Sequence, residues 1–202
     1  MNVCYIIGAG EIDTLPTPKE NDLVIAADGG YDYLTLHGVR CDLLIGDLDS
    51  IKAAPVGIEI IRHPVRKDET DMALAINEGA RRGYTSFMLY GGTGGREDHT
   101  FANYALLADT AKRGFSTTLV SKKNRITAIK DSKITVYGAN GKGLSIFAFG
   151  GKAEGVSILG TDYVADNITL LPEVALGVSN SFAGDKAEIC VKKGTLLVFI
   201  EN

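Results

Sequence analysis

Residues 23–36 read Leu-Val-Ile-Ala-Ala-Asp-Gly-Gly-Tyr-Asp-Tyr-Leu-Thr-Leu, and this stretch decides the fold. Its first five residues are continuously apolar, as in a strand that is buried on both faces of a parallel sheet. Its last six residues, Tyr31–Leu36, fit a short helix, and Gly38 is suited to the position that follows a helix. A buried strand that leads directly into a helix predicts an α/β fold with a mainly parallel sheet.

The same alternation of apolar runs and helical stretches continues over the first 120 residues. Each apolar run ends in glycine or in charged residues, as buried parallel strands do. Thr70 precedes the second helical stretch and is a good N-cap residue. Further strands are predicted at Val3–Gly8, Asp42–Ile45, Ile58–Ile61 and Ser86–Tyr90, and further helices at Asp71–Arg82, before Gly83, and His99–Arg113, before Gly114.

The pattern changes after the basic and polar stretch Lys122–Arg125. The runs that follow are short and strand-like, glycines separate many of them, and no helical period of useful length appears. This part therefore predicts a small all-β sandwich or barrel, with the boundary between residues 121 and 122. The predicted strands are Ile126–Ile129, Ile134–Tyr137, Leu144–Phe149, Val156–Leu159, Ile168–Leu171, Ala187–Val191 and Leu196–Ile200.

The composition excludes several classes of protein. The 202 residues are 45% hydrophobic, which is enough for one large or two small cores, and the net charge of −4 gives no reason to expect a nucleic acid partner. No apolar run has membrane-spanning length and the N-terminus lacks a signal segment, so we expect a cytoplasmic protein without membrane contacts. Cys4, Cys41 and Cys190 are expected to be buried free thiols.

Three carboxylates follow predicted strands. Asp28 comes directly after the strand at residues 23–27, and the two glycines after it would let a ligand approach exposed N–H groups at a helix start. Asp47 and Asp49 follow the strand Asp42–Ile45, two residues apart, so that both point to one side of an extended chain. Such oxygen ligands suit Mg²⁺ bound to substrate phosphates. The alternatives are an N-cap aspartate at Asp28 and a solvated turn at residues 46–50.

Two further junctions have unusual sequences. Residues 67–71 read Lys-Asp-Glu-Thr-Asp at the start of the second predicted helix, where Thr70 and Asp71 can also simply cap it. Residues 91–99 read Gly-Gly-Thr-Gly-Gly-Arg-Glu-Asp-His, a loop whose amides could line a phosphate while Arg96 clamps it. A flexible connection is the alternative for this loop. The turn Gly8–Gly10 begins a dinucleotide motif but lacks its third glycine, and a tight turn is the better interpretation.

Four acidic or glycine-rich junctions thus follow strands of one predicted sheet, and the carboxyl ends of parallel strands lie at one edge. Their coincidence predicts a Mg²⁺–polyphosphate site. Nothing in these residues identifies the group that accepts the phosphate.

Together these motifs resemble the thiamine pyrophosphokinase family. The resemblance spans nearly the whole chain, in motif order and in the succession of an α/β part and a β part. One departure lies at Gly160-Thr161-Asp162-Tyr163, where Asp162 stands in place of the basic or polar residue that the family tends to have before the aromatic residue. The matching segments are residues 27–30, 42–51, 67–71 and 94–99, and Gly177-Val178-Ser179-Asn180.

The resemblance implies transfer of the terminal diphosphate of ATP to the thiamine hydroxyl, giving thiamine diphosphate and AMP, with Mg²⁺. It implies an ATP- and Mg²⁺-binding catalytic domain at residues 1–121, and a thiamine-binding and dimerisation domain at 122–202 that completes the site of its partner in a homodimer. The implied catalytic and metal-binding residues are Asp47, Asp49 and Asp71; the implied ATP-binding residues are Asp28, Gly29, Ser50, Lys67, Asp68, Thr70, Gly94, Gly95, Arg96, Asp98 and His99; and the implied thiamine-binding residues are Tyr163, Ser179 and Asn180.

Two other functions fit the same residues. A pyrophosphokinase for another alcohol, such as a hydroxymethylpterin, would share the acidic site and differ at Tyr163, Ser179 and Asn180. A regulator that binds thiamine or a nucleotide without catalysis would need fewer carboxylates beside phosphates than this chain has.

Overall fold

The structure is a computed structural model that describes residues 2–48, 51, 55, 57–64 and 68–202. The chain divides into two compact units. The first unit consists of Met1–Asn103 and Phe115–Lys122, and the second of Tyr104–Gly114 and Lys123–Asn202. Within the described residues, no helix is long and apolar enough to cross a membrane.

The described residues of the first unit form a six-stranded sheet in which every pairing is parallel. The strand order is β6-β5-β1-β2-β3-β4. The central strands are almost wholly buried, as their continuous apolar sequences predict. The strands are β1 (Cys4–Ile7), β2 (Leu23–Ala27), β3 (Leu43–Gly46), β4 (Glu59–Arg62), β5 (Ser86–Tyr90) and β6 (Ser116–Val120).

Helices α1 (Gly30–Leu36) and α2 (Asp71–Arg81) pack on this sheet, and α3 (Glu97–Lys112) begins in the first unit and continues into the second. Helix α2 begins as predicted, because the Thr70 hydroxyl accepts a hydrogen bond from the Ala73 N–H at 3.2 Å. Helix α1 does not begin with the aspartate N-cap that was the alternative role for Asp28. Its N-cap is Gly29, and no side chain caps it. Asp28 is therefore not an N-cap residue.

Strand β6 is absent from the sequence-based prediction, although it pairs in parallel with β5. Its sequence is Ser-Thr-Thr-Leu-Val, in which only Thr117 and Leu119 are buried. A continuous apolar run is therefore the wrong pattern for this half-buried strand, where β-branched threonines that alternate with buried positions give the better signal.

The described residues of the second unit form two antiparallel sheets, with strand orders β12-β9-β14-β7 and β11-β10-β13-β8. Strand β12 is a further element that the sequence analysis did not predict, because a two-residue strand has no periodicity. The strands are β7 (Asn124–Lys130), β8 (Lys133–Tyr137), β9 (Gly143–Ala148), β10 (Ala153–Leu159), β11 (Ala165–Leu170), β12 (Asn180–Ser181), β13 (Lys186–Cys190) and β14 (Thr195–Glu201).

Alternate residues of both sheets form one apolar core, as in a β-sandwich. Leu144 and Ile146 of β9 contribute to it from one sheet, and Ala187 and Ile189 of β13 from the other. Phe182, directly after β12, is fully buried in this core. The predicted fold class, a mainly parallel α/β part followed by a small β sandwich, is confirmed.

The three cysteines are free thiols, as predicted, but only Cys4 is fully buried. Burial raises the pKa of Cys4 to about 12 and the pKa of Cys41 to about 11. Both thiols therefore remain protonated near neutral pH and are poor nucleophiles.

Candidate active site

The carboxyl ends of the parallel strands surround a cavity of about 670 Å³ in the first unit. Because all strands of this sheet run in the same direction, the residues that follow them meet at one edge. Among the described residues, five acidic side chains and one arginine line the cavity. The lining residues are Gly8, Ala9, Gly10, Ala27, Asp28, Asp47, Asp68, Glu69, Thr70, Asp71, Met72, Gly91, Gly92, Thr93, Gly95, Arg96, His99, Thr100 and Asn103.

Two of the carboxylates come from adjacent strands. The Asp28 N–H donates to the Ile45 carbonyl oxygen at 2.8 Å, which ties the end of β2 to β3. Asp28 has a left-handed φ of +49°, a conformation that aspartate tolerates better than most residues. Asp47 follows β3 directly. The pairing of β2 with β3 therefore brings Asp28 and Asp47 to the same cavity.

The start of α2 supplies the next group of lining residues. Asp68, Thr70 and Asp71 all contact the cavity, and Thr70 also caps the helix. The first turn of a helix has unpaired N–H groups and the positive end of the helix dipole. This cavity wall therefore combines carboxylates, which can bind a cation, with a helix terminus that favours anionic groups.

The loop after β1 and the loop after β5 both contain glycines and pack against each other at the cavity wall. The Gly8 N–H donates to the Tyr90 carbonyl oxygen and the Gly10 N–H to the Gly91 carbonyl oxygen, both at 2.8 Å. A Cβ atom on Gly91 would lie 2.3 Å from the Gly8 carbonyl oxygen. Side chains would separate these loops, so the glycines keep the backbone of both loops at the cavity wall.

Helix α3 holds the glycine-rich loop after β5 through a hydrogen bond from Asn103. Asn103 is only 6% exposed, and its Nδ2 donates to the Gly92 carbonyl oxygen at 2.8 Å. His99 lies one helical turn earlier and also lines the cavity. The loop after β5 is therefore held by hydrogen bonds and is not a flexible connection.

Arg96 forms a two-point ion pair with Asp98. Its Nη2 lies 2.6 Å from Asp98 Oδ2, and its Nε lies 3.1 Å from Oδ1. The hydrogen bond from Arg96 lowers the pKa of Asp98. Both side chains are well exposed, so the pair contributes little to stability. A phosphate group could take the same guanidinium edge, since carboxylates and phosphates both bind it in a two-point geometry.

The structure brings most of the predicted nucleotide-site residues together. Three of the predicted residues are not part of the cavity lining. Gly29 is the N-cap of α1, Gly94 faces the Glu11 side chain, and Asp98 pairs with Arg96. Asp49, Ser50 and Lys67 lie outside the described residues. The predicted residues that do line the cavity are Asp28, Asp47, Asp68, Thr70, Asp71, Gly95, Arg96 and His99.

Several lining residues were not predicted. Gly8, Ala9 and Gly10 were interpreted as a tight turn, although they follow a strand end as the other site residues do. Thr100 and Asn103 lie on the first two turns of α3, where a helical period counted from His99 would have pointed to Asn103.

Within the part of the chain that the structure describes, which leaves out Asp49, no group of three or more His, Cys, Asp or Glu side chains is arranged to hold a metal ion. Magnesium needs fewer protein ligands than such a group provides. It commonly takes one or two carboxylates and completes its shell with water and substrate phosphates. The lining carboxylates meet that demand in number and in chemical type.

The predicted thiamine-binding residues belong to the second unit. Tyr163 is 74% exposed, whereas Asn180 is only 8% exposed. Ser179 is exposed, and its N–H donates to the Ser145 hydroxyl oxygen at 3.1 Å. Tyr163 and Asn180 lie together, joined by hydrogen bonds between the Asn180 side chain and the Tyr163 backbone.

A parallel α/β sheet with acidic and glycine-rich strand ends around one cavity is typical of enzymes that bind phosphate-containing ligands. Residues 17–119 match the family model described as thiamin pyrophosphokinase, catalytic domain, and residues 126–196 match the thiamin pyrophosphokinase vitamin B1 binding domain. The chain belongs to the thiamin pyrophosphokinase family and is a diphosphotransferase.

Known proteins resemble the chain over its whole length. A Bacillus subtilis protein named thiamine pyrophosphokinase is 25% identical over 212 residues, which cover 98% of each chain. The solved structure of thiamine pyrophosphokinase from Bacillus subtilis has a TM-score of 0.90 at 23% identity, and covers 100% of this chain and 99% of that one. The enzyme from Candida albicans has a TM-score of 0.78 at 16% identity, covering 99% and 88%. The resemblance to the family is confirmed, and the solved structures support the fold.

Proposed function

We propose that this chain binds ATP with Mg²⁺ in the cavity of the first unit and transfers the terminal diphosphate to the hydroxyethyl group of thiamine. One observation carries this proposal. Four separate segments that follow strands of the parallel sheet, which include Asp28, Asp47, Asp71 and Arg96, line a single cavity. A cavity lined by carboxylates, a helix start, glycine-containing loops and an arginine can hold a cation and a polyphosphate together.

We propose Asp47, Asp49 and Asp71 as the residues that hold Mg²⁺. Asp47 and Asp71 line the cavity and offer the hard oxygen atoms that Mg²⁺ prefers. When bound, Mg²⁺ offsets negative charge on the transferred diphosphate and on the departing AMP. Without a cation, the described carboxylates would repel the triphosphate, because they outnumber the lining arginine.

The remaining cavity residues bind and orient ATP. Arg96 has a two-point edge for phosphate oxygens, which Asp98 occupies until ATP binds. The glycine-rich loop presents backbone at the cavity wall, and Asn103 holds it in place. The proposed ATP-binding residues are Asp28, Gly29, Ser50, Lys67, Asp68, Thr70, Gly94, Gly95, Arg96, Asp98 and His99.

In the proposed reaction the thiamine hydroxyl oxygen attacks the β-phosphorus of ATP in line with the leaving group. A bond forms between that oxygen and the β-phosphorus, and the bond from the β-phosphorus to the oxygen bridging the α-phosphorus breaks, so that AMP leaves. Positioning and electrostatic stabilisation supply most of the rate in such transfers. Asp71 or Asp49 is the proposed acceptor of the hydroxyl proton.

We assign thiamine binding and dimerisation to residues 122–202, with Tyr163, Ser179 and Asn180 at the thiamine site, and ATP binding to residues 1–121. Six large apolar side chains within residues 163–178 of the second unit are at least 41% exposed, and exposed apolar surface of this kind favours an interface with a second copy. The free cysteines suit a reducing cytoplasm. These six residues are Tyr163, Val164, Leu171, Val174, Leu176 and Val178.

Purified chain incubated with Mg²⁺, ATP and thiamine is expected to release AMP in amounts equal to the thiamine diphosphate formed. The same assay with a hydroxymethylpterin as acceptor, and with no acceptor, is the control, and neither should release AMP. Faster AMP release with the pterin would identify a pyrophosphokinase for another alcohol. Binding of thiamine and ATP without AMP release would identify a regulator.

A further inference from the structure

The sandwich presents an exposed aromatic residue on a rigidly held segment. Tyr163 and Val164, which lie just before β11, are 74% and 62% exposed. The residues that fix this segment are buried, with Thr161 at 3% and Asn180 at 8% exposure. An exposed ring on a well-anchored backbone loses little conformational freedom when a ligand binds to it.

Asn180 uses both its amide oxygen and its amide nitrogen on this segment. Its Oδ1 accepts from the Tyr163 N–H at 3.0 Å and from the Ser181 N–H at 2.9 Å, and its Nδ2 donates to the Tyr163 carbonyl oxygen at 2.8 Å. An amide oxygen has two lone pairs and an amide nitrogen two hydrogens. Both acceptor positions are therefore occupied, and at most one N–H remains for a ligand.

Neighbouring hydrogen bonds also hold residues 161–163 in place. Thr161 Oγ1 donates to the Tyr163 carbonyl oxygen at 3.0 Å, and the Asp162 N–H donates to the Ser181 carbonyl oxygen at 3.0 Å. The Ser181 hydroxyl also donates to the Asp162 carboxylate. Asp162, where this chain departs from its family, is thus bonded to Ser181.

We propose that Asn180 is a positioning residue that acts on thiamine through Tyr163, by holding the Tyr163 backbone from both its N–H and its carbonyl group. Tyr163 then offers its ring face to the cationic thiazolium or to the pyrimidine ring. This inference rests on the proposed function, in which Tyr163 contacts thiamine. It assigns Asn180 to the placement of the ring and leaves the contact with the substrate to Tyr163.

A double-mutant cycle on the full-length chain tests the inference through the KM for thiamine and the KM for ATP. Asn180→Ala and Tyr163→Ala are each expected to raise the thiamine KM about tenfold, the effect of losing buried hydrogen bonds or a ring contact, and to leave the ATP KM within about twofold. Because Asn180 acts through the Tyr163 ring, the double variant should match Tyr163→Ala within about twofold.

Asn180→Asp is a second variant for the same cycle, in case Asn180→Ala does not fold. It has the same shape and keeps the acceptor oxygen, but it loses the donor to the Tyr163 carbonyl oxygen. Tyr163→Phe is the matched control, because it keeps the ring and the backbone bonds. In that background either Asn180 variant should raise the thiamine KM as much as it does in the wild-type chain.

Multiplicative effects in the double variant, about a hundredfold in total, would show that Asn180 contacts thiamine independently and would overturn the inference. A raised thiamine KM in Asn180→Ala with a normal KM in Tyr163→Ala would also overturn it, while the proposed function stands. Failure of the wild-type chain to form thiamine diphosphate would overturn the proposed function, and the inference with it.

Discussion

Asp47→Asn is expected to lower kcat by about a hundredfold to a thousandfold, the range seen when one group that stabilises transition-state charge is removed. The substitution keeps the size and shape of the side chain but removes its negative charge, so that a Mg²⁺ ligand is weakened and the charge on the diphosphate is less well offset. Asp47 follows β3 at the cavity wall and is outside the apolar core, so the thermal stability should change little. Steady-state kinetics at saturating ATP and thiamine measure the effect.

Asp13→Asn is the matched control, because Asp13 is an exposed aspartate of the same unit that does not line the cavity. Its kcat should stay within about twofold of the wild-type value, as for surface changes remote from a site. Asp49→Asn is expected to resemble Asp47→Asn. Near-normal turnover in both would remove Asp47 and Asp49 from the metal site.

Gly30→Ala is expected to destabilise the first unit strongly. An added Cβ atom would lie 1.8 Å from the Ile7 carbonyl oxygen and 2.5 Å from the Ile7 carbonyl carbon, and Ile7 is fully buried in β1. Backbone at the centre of a sheet cannot move aside as a flexible side chain can, so α1 or β1 must shift. Overpacking of this kind costs at least about 1–3 kcal/mol, which corresponds to a fall in Tm of several degrees, measured by circular dichroism.

Gly184→Ala is the control for this substitution, because an added Cβ atom on Gly184 would meet no atom within 4 Å. Its free energy of unfolding should lie within about 0.5 kcal/mol of the wild-type value. Equal Tm values for Gly30→Ala and Gly184→Ala would contradict the close packing of Gly30 in α1 against the Ile7 backbone in β1.

The nucleotide cavity was predictable from sequence to a large extent, because it depends on one general property of parallel sheets. Asp28, Asp47, Asp71 and Arg96 all follow strands, and strands that run in the same direction place their carboxyl ends at one edge. The same reasoning applies to Gly8–Gly10, which the sequence analysis assigned to a turn because the motif was compared only with a dinucleotide fingerprint.

The arrangement in the sandwich could not be predicted in the same way. The hydrogen bonds between Asn180 and Tyr163 join residues 17 positions apart, and β12 is too short to show a periodicity. The family resemblance therefore implied Tyr163 and Asn180 as thiamine-site residues without showing that they contact each other. That contact depends on how the strands of the sandwich pair, which a single sequence does not specify.

The fate of the β-phosphate of ATP tests the proposed reaction most directly. With ATP labelled at the β-phosphate, together with Mg²⁺ and thiamine, the account predicts that the label appears in thiamine diphosphate and that AMP is the unlabelled nucleotide product. Label retained in ADP, together with unlabelled thiamine monophosphate, would mean attack at the γ-phosphorus and would contradict the account.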